Sequence, residues 1–150
     1  MGSLKDFLKA KKYVRIPLTL TATNHLELTV HINGIPGRFI LDTGATNTCV
    51  GIDRMNHFNL ISENSEIKAA GAGASEMETL VSSGNELCIG PWKYKKQKVV
   101  LIDLIHVNQA LTLHEALAVD GILGSDVLRK AGAVIDYSKP CVYFKKKNPK

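Results

Sequence analysis

Apolar and polar residues alternate with a period of two over much of the chain, the signature of strands with one buried face. Leu26–Ile32 (LELTVHI) is the clearest case, with Leu26, Leu28, Val30 and Ile32 on one side. Residues 13–22 (YVRIPLTLTA) also alternate, are rich in β-branched side chains and predict one strand. Asn33-Gly34 and Pro36-Gly37 carry turn chemistry. A strand over 38–41 follows and runs into Asp42-Thr43-Gly44, with another short strand at 48–51. A short helix capped by Asp53 is predicted for 53–58.

Two strands at 66–70 and 75–82 flank the small-residue run Gly71-Ala72-Gly73-Ala74, and a further pair, 86–89 and 93–104, flanks Gly90-Pro91. Residues 105–118 fit a loop and a helix equally well, and 119–123 is short and apolar. Ser125–Lys130 predicts a helix, with Ser125 as N-cap, Asp126 at its positive end, Arg129 and Lys130 at its negative end, and Gly132 closing it. Strands at 133–137 and 141–144 complete a mainly β pattern, a closed or sandwich-like barrel with one late helix.

Composition adds little to this picture. The 150 residues suit one domain, and a 45% apolar, 22% charged chain can form a core without staples. The net charge of +5 is a property of the ends. Lys5, Lys9, Lys11, Lys12 and Arg15 against Asp6 give the first fifteen residues +4, and Lys145, Lys146, Lys147 and Lys150 give the last six +4. The body between them carries −3. Residues 1–12 are read as a basic lead-in with at most one helical turn, 13–144 as the domain and 145–150 as a basic tail. Basic tails attract nucleic acid or anionic lipid. Without interleaved aromatic residues for base stacking, a solubilising role is preferred and a nucleic-acid partner is not expected.

Cys49, Cys88 and Cys141 are odd in number and widely spaced, so they are read as small buried hydrophobes in a reducing compartment. With no membrane-length apolar run and no signal-peptide core, the expectation is a cytoplasmic protein with no membrane partner.

Candidate chemistry begins at Phe39-Ile40-Leu41-Asp42-Thr43-Gly44-Ala45, where an apolar strand delivers an acid into a tight turn. A strand buried on both sides would set Asp42 deep, where ionisation is costly. Taken alone, the tripeptide fits an ordinary Asp-initiated turn equally well. A second apolar strand, Val119-Asp120-Gly121-Ile122-Leu123-Gly124, could pass beneath the Asp42 loop if Gly124 permits a tight crossing. The run 71–74 could form a mobile hairpin cover. Other sites are poorly supported: His114-Glu115 lacks the second histidine of a zinc-protease helix, since position 118 is Ala118, and no phosphate-binding glycine loop occurs. No metal and no cofactor are expected.

In this order and spacing, Ile-Leu-Asp-Thr-Gly-Ala (40–45) and Gly-Ile-Leu-Gly-Ser-Asp-Val-Leu (121–128), continuing into Ala-Val-Ile-Asp-Tyr (133–137), resemble the retroviral-type aspartic proteases. The resemblance runs over about 26–144 and is only positional at the 71–74 run. It implies a closed retropepsin-like acid-protease barrel with one lobe per chain, hydrolysis of peptide bonds, and a homodimer with one catalytic Asp from each copy. Carried over by position, Asp42 is the catalytic acid. Thr43 is the residue whose hydroxyl bonds across the dimer, and Gly44 the glycine beside the dyad. Ala45 meets the substrate, together with Ala70, Gly71, Ala72 and Gly73 of the cover and Ile122. Viral members have an acid after Asp-Thr-Gly-Ala and an Arg after the second glycine. Here Thr46, Asn47 and Ser125 stand instead, so the ion pair that ties viral dimers is not expected.

The chain has one Asp-Thr-Gly, whereas water activation by this route needs two carboxyls a hydrogen bond apart. A two-fold axis between two copies of Asp42 supplies the second. The alternative is a catalytically silent member of the same fold that binds peptides or serves for dimerisation.

Overall fold

The structure is a computed structural model describing residues 2–64 and 80–146. The predicted strands at 66–70 and over 75–79, and the cover residues Ala70, Gly71, Ala72 and Gly73, lie outside the described residues. The strands are β1 Tyr13–Pro17, β2 Thr19–Leu20, β3 Leu26–Ile32, β4 Ile35–Leu41, β5 Cys49–Gly51, β6 Glu63–Asn64, β7 Leu80–Ile89, β8 Trp92–Ile102, β9 Gly121–Leu123, β10 Val134–Asp136 and β11 Cys141–Lys145. The helices are α1 Leu4–Ala10, α2 Ile105–Leu113 and α3 Ser125–Lys130.

Six strands close into a ring in the order β3-β4-β9-β5-β8-β7, with β7 returning to β3 through Ile32↔Leu87 and His31↔Cys88. The short strands β2 and β6 hang on the outside of this barrel. Alternation on β3 puts Leu26, Leu28, Val30 and Ile32 inward, where they meet Phe39, Leu41, Phe58, Leu87, Leu101 and Leu123. Burial of these side chains supplies the main driving force for the fold. Asn33 and Gly34, both at positive φ, make the two-residue hairpin between β3 and β4.

Pro36-Gly37, predicted as a second turn, is instead part of β4, opposite His31 and Val30. The Asn33-Gly34 turn has already reversed the chain there. Gly37 serves a close approach, because a Cβ at this position would lie 2.5 Å from the Phe58 ring. The single strand predicted for 13–22 breaks at buried Leu18, whose amide bonds the Pro140 carbonyl. The segment thus serves two sheets. At 53–58 the helix shortens to a 3-10 turn over Ile52–Arg54.

A second sheet, β1-β11-β10, pairs the start of the chain with its end, from Tyr13↔Lys145 to Pro17↔Cys141. The basic lead-in, read as a single turn at most, is a seven-residue helix. Ser3 caps α1 through the Asp6 amide, and Leu8 anchors it on Cys141 and Tyr143. The ambiguous segment resolves into α2, which buries only Leu111. It is fastened by polar bonds instead: the Asn108 side chain donates to the Val119 carbonyl and accepts from the Val119 amide.

The cap of α3 is Gly124 rather than Ser125. The Ser125 amide is held by the Ala45 carbonyl, at 2.7 Å, so Ser125 is the first residue of the helix. Cys49 and Cys141 are buried and Cys88 half-buried, all as free thiols.

Gly121 sits where β9 passes between Phe39 and the Cys49 carbonyl, and a Cβ there would collide with both. Gly121→Ala is predicted to destabilise the fold by about 3 kcal/mol, since backbone lies on one side of the clash. A urea titration checks this through a lowered midpoint at unchanged slope.

Candidate active site

The chain leaves the barrel core at the end of β4 and forms the Asp42 loop. Leu41 is buried against β9, and the Asp42 amide continues the pairing by donating to the Leu123 carbonyl at 2.9 Å. The loop then closes on itself. Gly44 donates its amide to Asp42 Oδ1 at 2.9 Å, and Ala45 donates to the Asp42 carbonyl. A Cβ on Gly44 would lie 3.3 Å from that same carboxylate oxygen, so glycine keeps the face beside the acid open.

Asp42, Thr43 and Gly44 are exposed in the single chain, and this corrects the expectation of a deeply set acid. Burial along β4 stops at Leu41, because its partner β9 ends at the facing Leu123. No part of the described chain roofs the loop. Among the described residues, Asp42 Oδ2 and the Thr43 hydroxyl have no hydrogen-bond partner.

The crossing of Gly124 under this loop fixes its position. A Cβ on Gly124 would sit 2.8 Å from the Ala45 carbonyl oxygen and equally close to the Asn47 backbone. The Gly124 amide donates to Thr48 Oγ1, which donates in turn to Asp126 Oδ1 at 2.8 Å. Asp126 Oδ2 accepts from Gln97 Nε2, and Gln97 Oε1 accepts from Lys130 Nζ, which also lies over the Tyr94 ring. Asp126 is therefore more than a helix-start charge: it ties α3 and β8 to the loop from below. Thr48 and Gln97 are fully buried polar residues that sequence reasoning missed. Gln97 left a signal, as a neutral residue between Lys96 and Lys98 and in phase with buried Val99 and Leu101.

Ala45 is half-buried, and both its amide and its carbonyl have partners inside the chain. Ile122 pairs with Ile40 and Cys49 and packs on Cys49, Val81, Val100, Ile102 and Leu104. The structure thus brings Asp42, Thr43, Gly44, Ala45 and Ile122 to one end of the barrel.

Three further aspartates have structural work. Asp120 takes Arg54 Nε on one oxygen, at 2.8 Å, and the Arg38 amide on the other. Asp103 accepts from the Ile105 amide at the start of α2. Asp136 is held below the usual carboxylate range by the Ser138 hydroxyl and by neighbouring amides. Cys49, seven residues after the acid, has its thiol pushed up to about 12 by burial, with Asp126 and Asp42 adding to the effect. Such a neutral, buried thiol is no nucleophile.

A closed barrel that delivers an Asp-Thr-Gly loop over an Ile-Leu-Gly crossing defines an acid-protease lobe. Residues 28–127 match the aspartyl protease family model, and the chain belongs to that family. Three solved structures share the fold. A retropepsin-like aspartic protease from Rickettsia conorii is 16% identical, with TM-score 0.59 over 88% of this chain and 90% of that one. EIAV protease, in complex with the inhibitor HBY-793, is 20% identical, with TM-score 0.55 over 75% and 92%. The retroviral protease-like domain of Ddi1 from Leishmania major is 15% identical, with TM-score 0.54 over 83% and 90%. No curated protein matches the sequence.

Two predictions follow from the ties around the loop. Asp126→Ala would take the acceptor from the buried Thr48 hydroxyl and from one Gln97 amide hydrogen, the other staying on the Lys98 carbonyl, costing about 1–3 kcal/mol in urea unfolding, and Asp126→Asn recovers part of the loss. At pH 8, iodoacetamide is predicted to leave Cys49 unmodified in the folded protein and to modify it in urea, as read by peptide mass mapping. Rapid native labelling of Cys49 would contradict its burial and raised thiol pKa.

Proposed function

We propose that this chain is one half of a homodimeric aspartic endopeptidase. The observation that carries this reading is the presentation of Asp42. The described chain holds one of its carboxylate oxygens through the Gly44 amide and leaves the other on an open surface. A second copy related by a two-fold axis brings its own Asp42 against that surface. The exposed Thr43 hydroxyl then has a partner loop to bond, and Gly44 allows the close approach.

Two carboxyls at that distance cannot both ionise, so they share one proton. The ionised member takes a proton from a water held between them, and the water oxygen attacks the scissile carbonyl carbon. The protonated member donates to the carbonyl oxygen, giving a neutral tetrahedral diol. One carboxyl then protonates the amide nitrogen while the other takes a proton from a diol hydroxyl, so that the C–N bond breaks, acid and amine leave, and the pair again shares one proton. The step needs neither a metal nor a covalent enzyme intermediate.

The substrate is an extended peptide, its side chains meeting Ala45 and Ile122. The three free thiols suit a reducing compartment, and the cytoplasm is the proposed location.

Asp42→Asn is predicted to lower kcat for peptide hydrolysis by at least about 10²–10⁴-fold, leaving the urea midpoint and the sedimentation mass unchanged. Mixing equal amounts of wild type and Asp42→Asn, with time for exchange, is predicted to leave about a quarter of the wild-type dimer activity. Retention of about half would mean that each chain works alone. Undiminished hydrolysis by the pure variant would refute Asp42 as the catalytic acid, and no hydrolysis by the wild type would leave a peptide-binding or dimerisation role instead.

A further inference from the structure

The two basic ends, far apart in sequence, converge in the fold. Tyr13 pairs with Lys145, and the Lys146 amide donates to the Lys12 carbonyl at 3.0 Å. The Lys145 amide donates to the Ala131 carbonyl, which brings in the C-terminal end of α3 and its exposed Arg129. Lys11, Lys12, Arg129, Lys145 and Lys146 are all exposed in this one region. Among the described residues the ion pairs use Arg38, Arg54 and Lys93, so this cluster carries its charge unneutralised.

Beside it lies the outer face of α1. Leu8 points inward and anchors the helix, whereas Leu4 is 45% and Phe7 58% exposed. Leu4, Phe7 and Lys11 fall at spacings of three and four residues and share one stripe. Lys11 Nζ lies 5.7 Å from the Phe7 ring centroid. A helix that shows an aliphatic and an aromatic side chain to solvent, flanked by lysines, suits the headgroup boundary of a bilayer.

We infer that the face formed by α1 and the ends of β11 and α3 docks on an anionic lipid surface, with Leu4 and Phe7 entering the headgroup layer. The charge alone would suit any polyanion. The two exposed apolar side chains favour lipid, since Leu4 offers nothing to a phosphate backbone and Phe7 alone makes no stacking array. The sequence-based expectation of no membrane partner rested on the lack of a spanning segment, and surface attachment needs none.

The first residue of α3 bonds Ala45 in the Asp42 loop, and its other end meets the basic cluster. The site and the docking face therefore lie at opposite ends of this short helix. This inference does not depend on the catalytic reading of Asp42.

The test is co-sedimentation of the full chain with phosphatidylcholine vesicles, with and without phosphatidylserine. Binding is expected only to the serine-containing vesicles and is expected to weaken with salt. Phe7→Ser, at an exposed position, and the combined Lys11→Glu, Lys12→Glu, Lys145→Glu, Lys146→Glu variant are each expected to lower partitioning at least about tenfold. Lys139→Glu, at the other end of β11, is expected to bind like wild type. Three results would overturn the inference: no binding by the wild type, equal loss in the Lys139→Glu control, or binding to duplex DNA but not to vesicles. So would a change in sedimentation mass on Phe7→Ser without any vesicle dependence, which would make this face a contact between copies.

Discussion

The passage of Gly124 beneath the Asp42 loop is the constraint on which the rest of the site depends. Three backbone amides around the crossing are committed to it: Asp42 to Leu123, Gly124 to Thr48 and Ser125 to Ala45. The glycine is required because backbone oxygen lies where a Cβ would go. The loop is therefore placed by the barrel and α3 together, and not by its own turn chemistry. Asp126 completes the arrangement from below, since its two oxygens hold the threonine that the Gly124 amide needs and the glutamine of the neighbouring strand.

So much fixing beneath the loop contrasts with its open upper side. The interior is closed by six strands, and the two ends of the chain are paired with each other in a separate small sheet. Strands near the two ends are thus paired with each other, and Asp42 and Thr43 are left exposed on the open side of the loop. Two carboxyls brought against one another tune each other as acid and base. In the proposed dimer the second copy of Asp42 is that neighbour.

Legibility of the fold in the sequence followed how each element is held. The strict alternation of Leu26–Ile32, the Asn33-Gly34 turn and the extent of α3 were readable because hydrophobic burial and turn sterics act locally. The helix α2 was not, because it is secured by Asn108 and Val119 rather than by an apolar stripe. The division of 13–22 between two sheets depends on partners more than a hundred residues away on one side. The Asp42 loop was found by its motif, yet its depth was misjudged, since strand pattern does not say where the facing strand ends. Thr48 left no mark, because a buried polar residue looks like a surface one until its partner is known, and Gln97 left only its phase with Val99 and Leu101.

The central claim is that two copies of this chain bring their Asp42 side chains together over these glycines. A crystal structure of the assembled protein with a peptide mimic bound measures that separation directly. The account predicts the two carboxyl groups within about 3 Å of one another, astride a two-fold axis. An assembly that hydrolyses peptide while holding these groups far apart would contradict it.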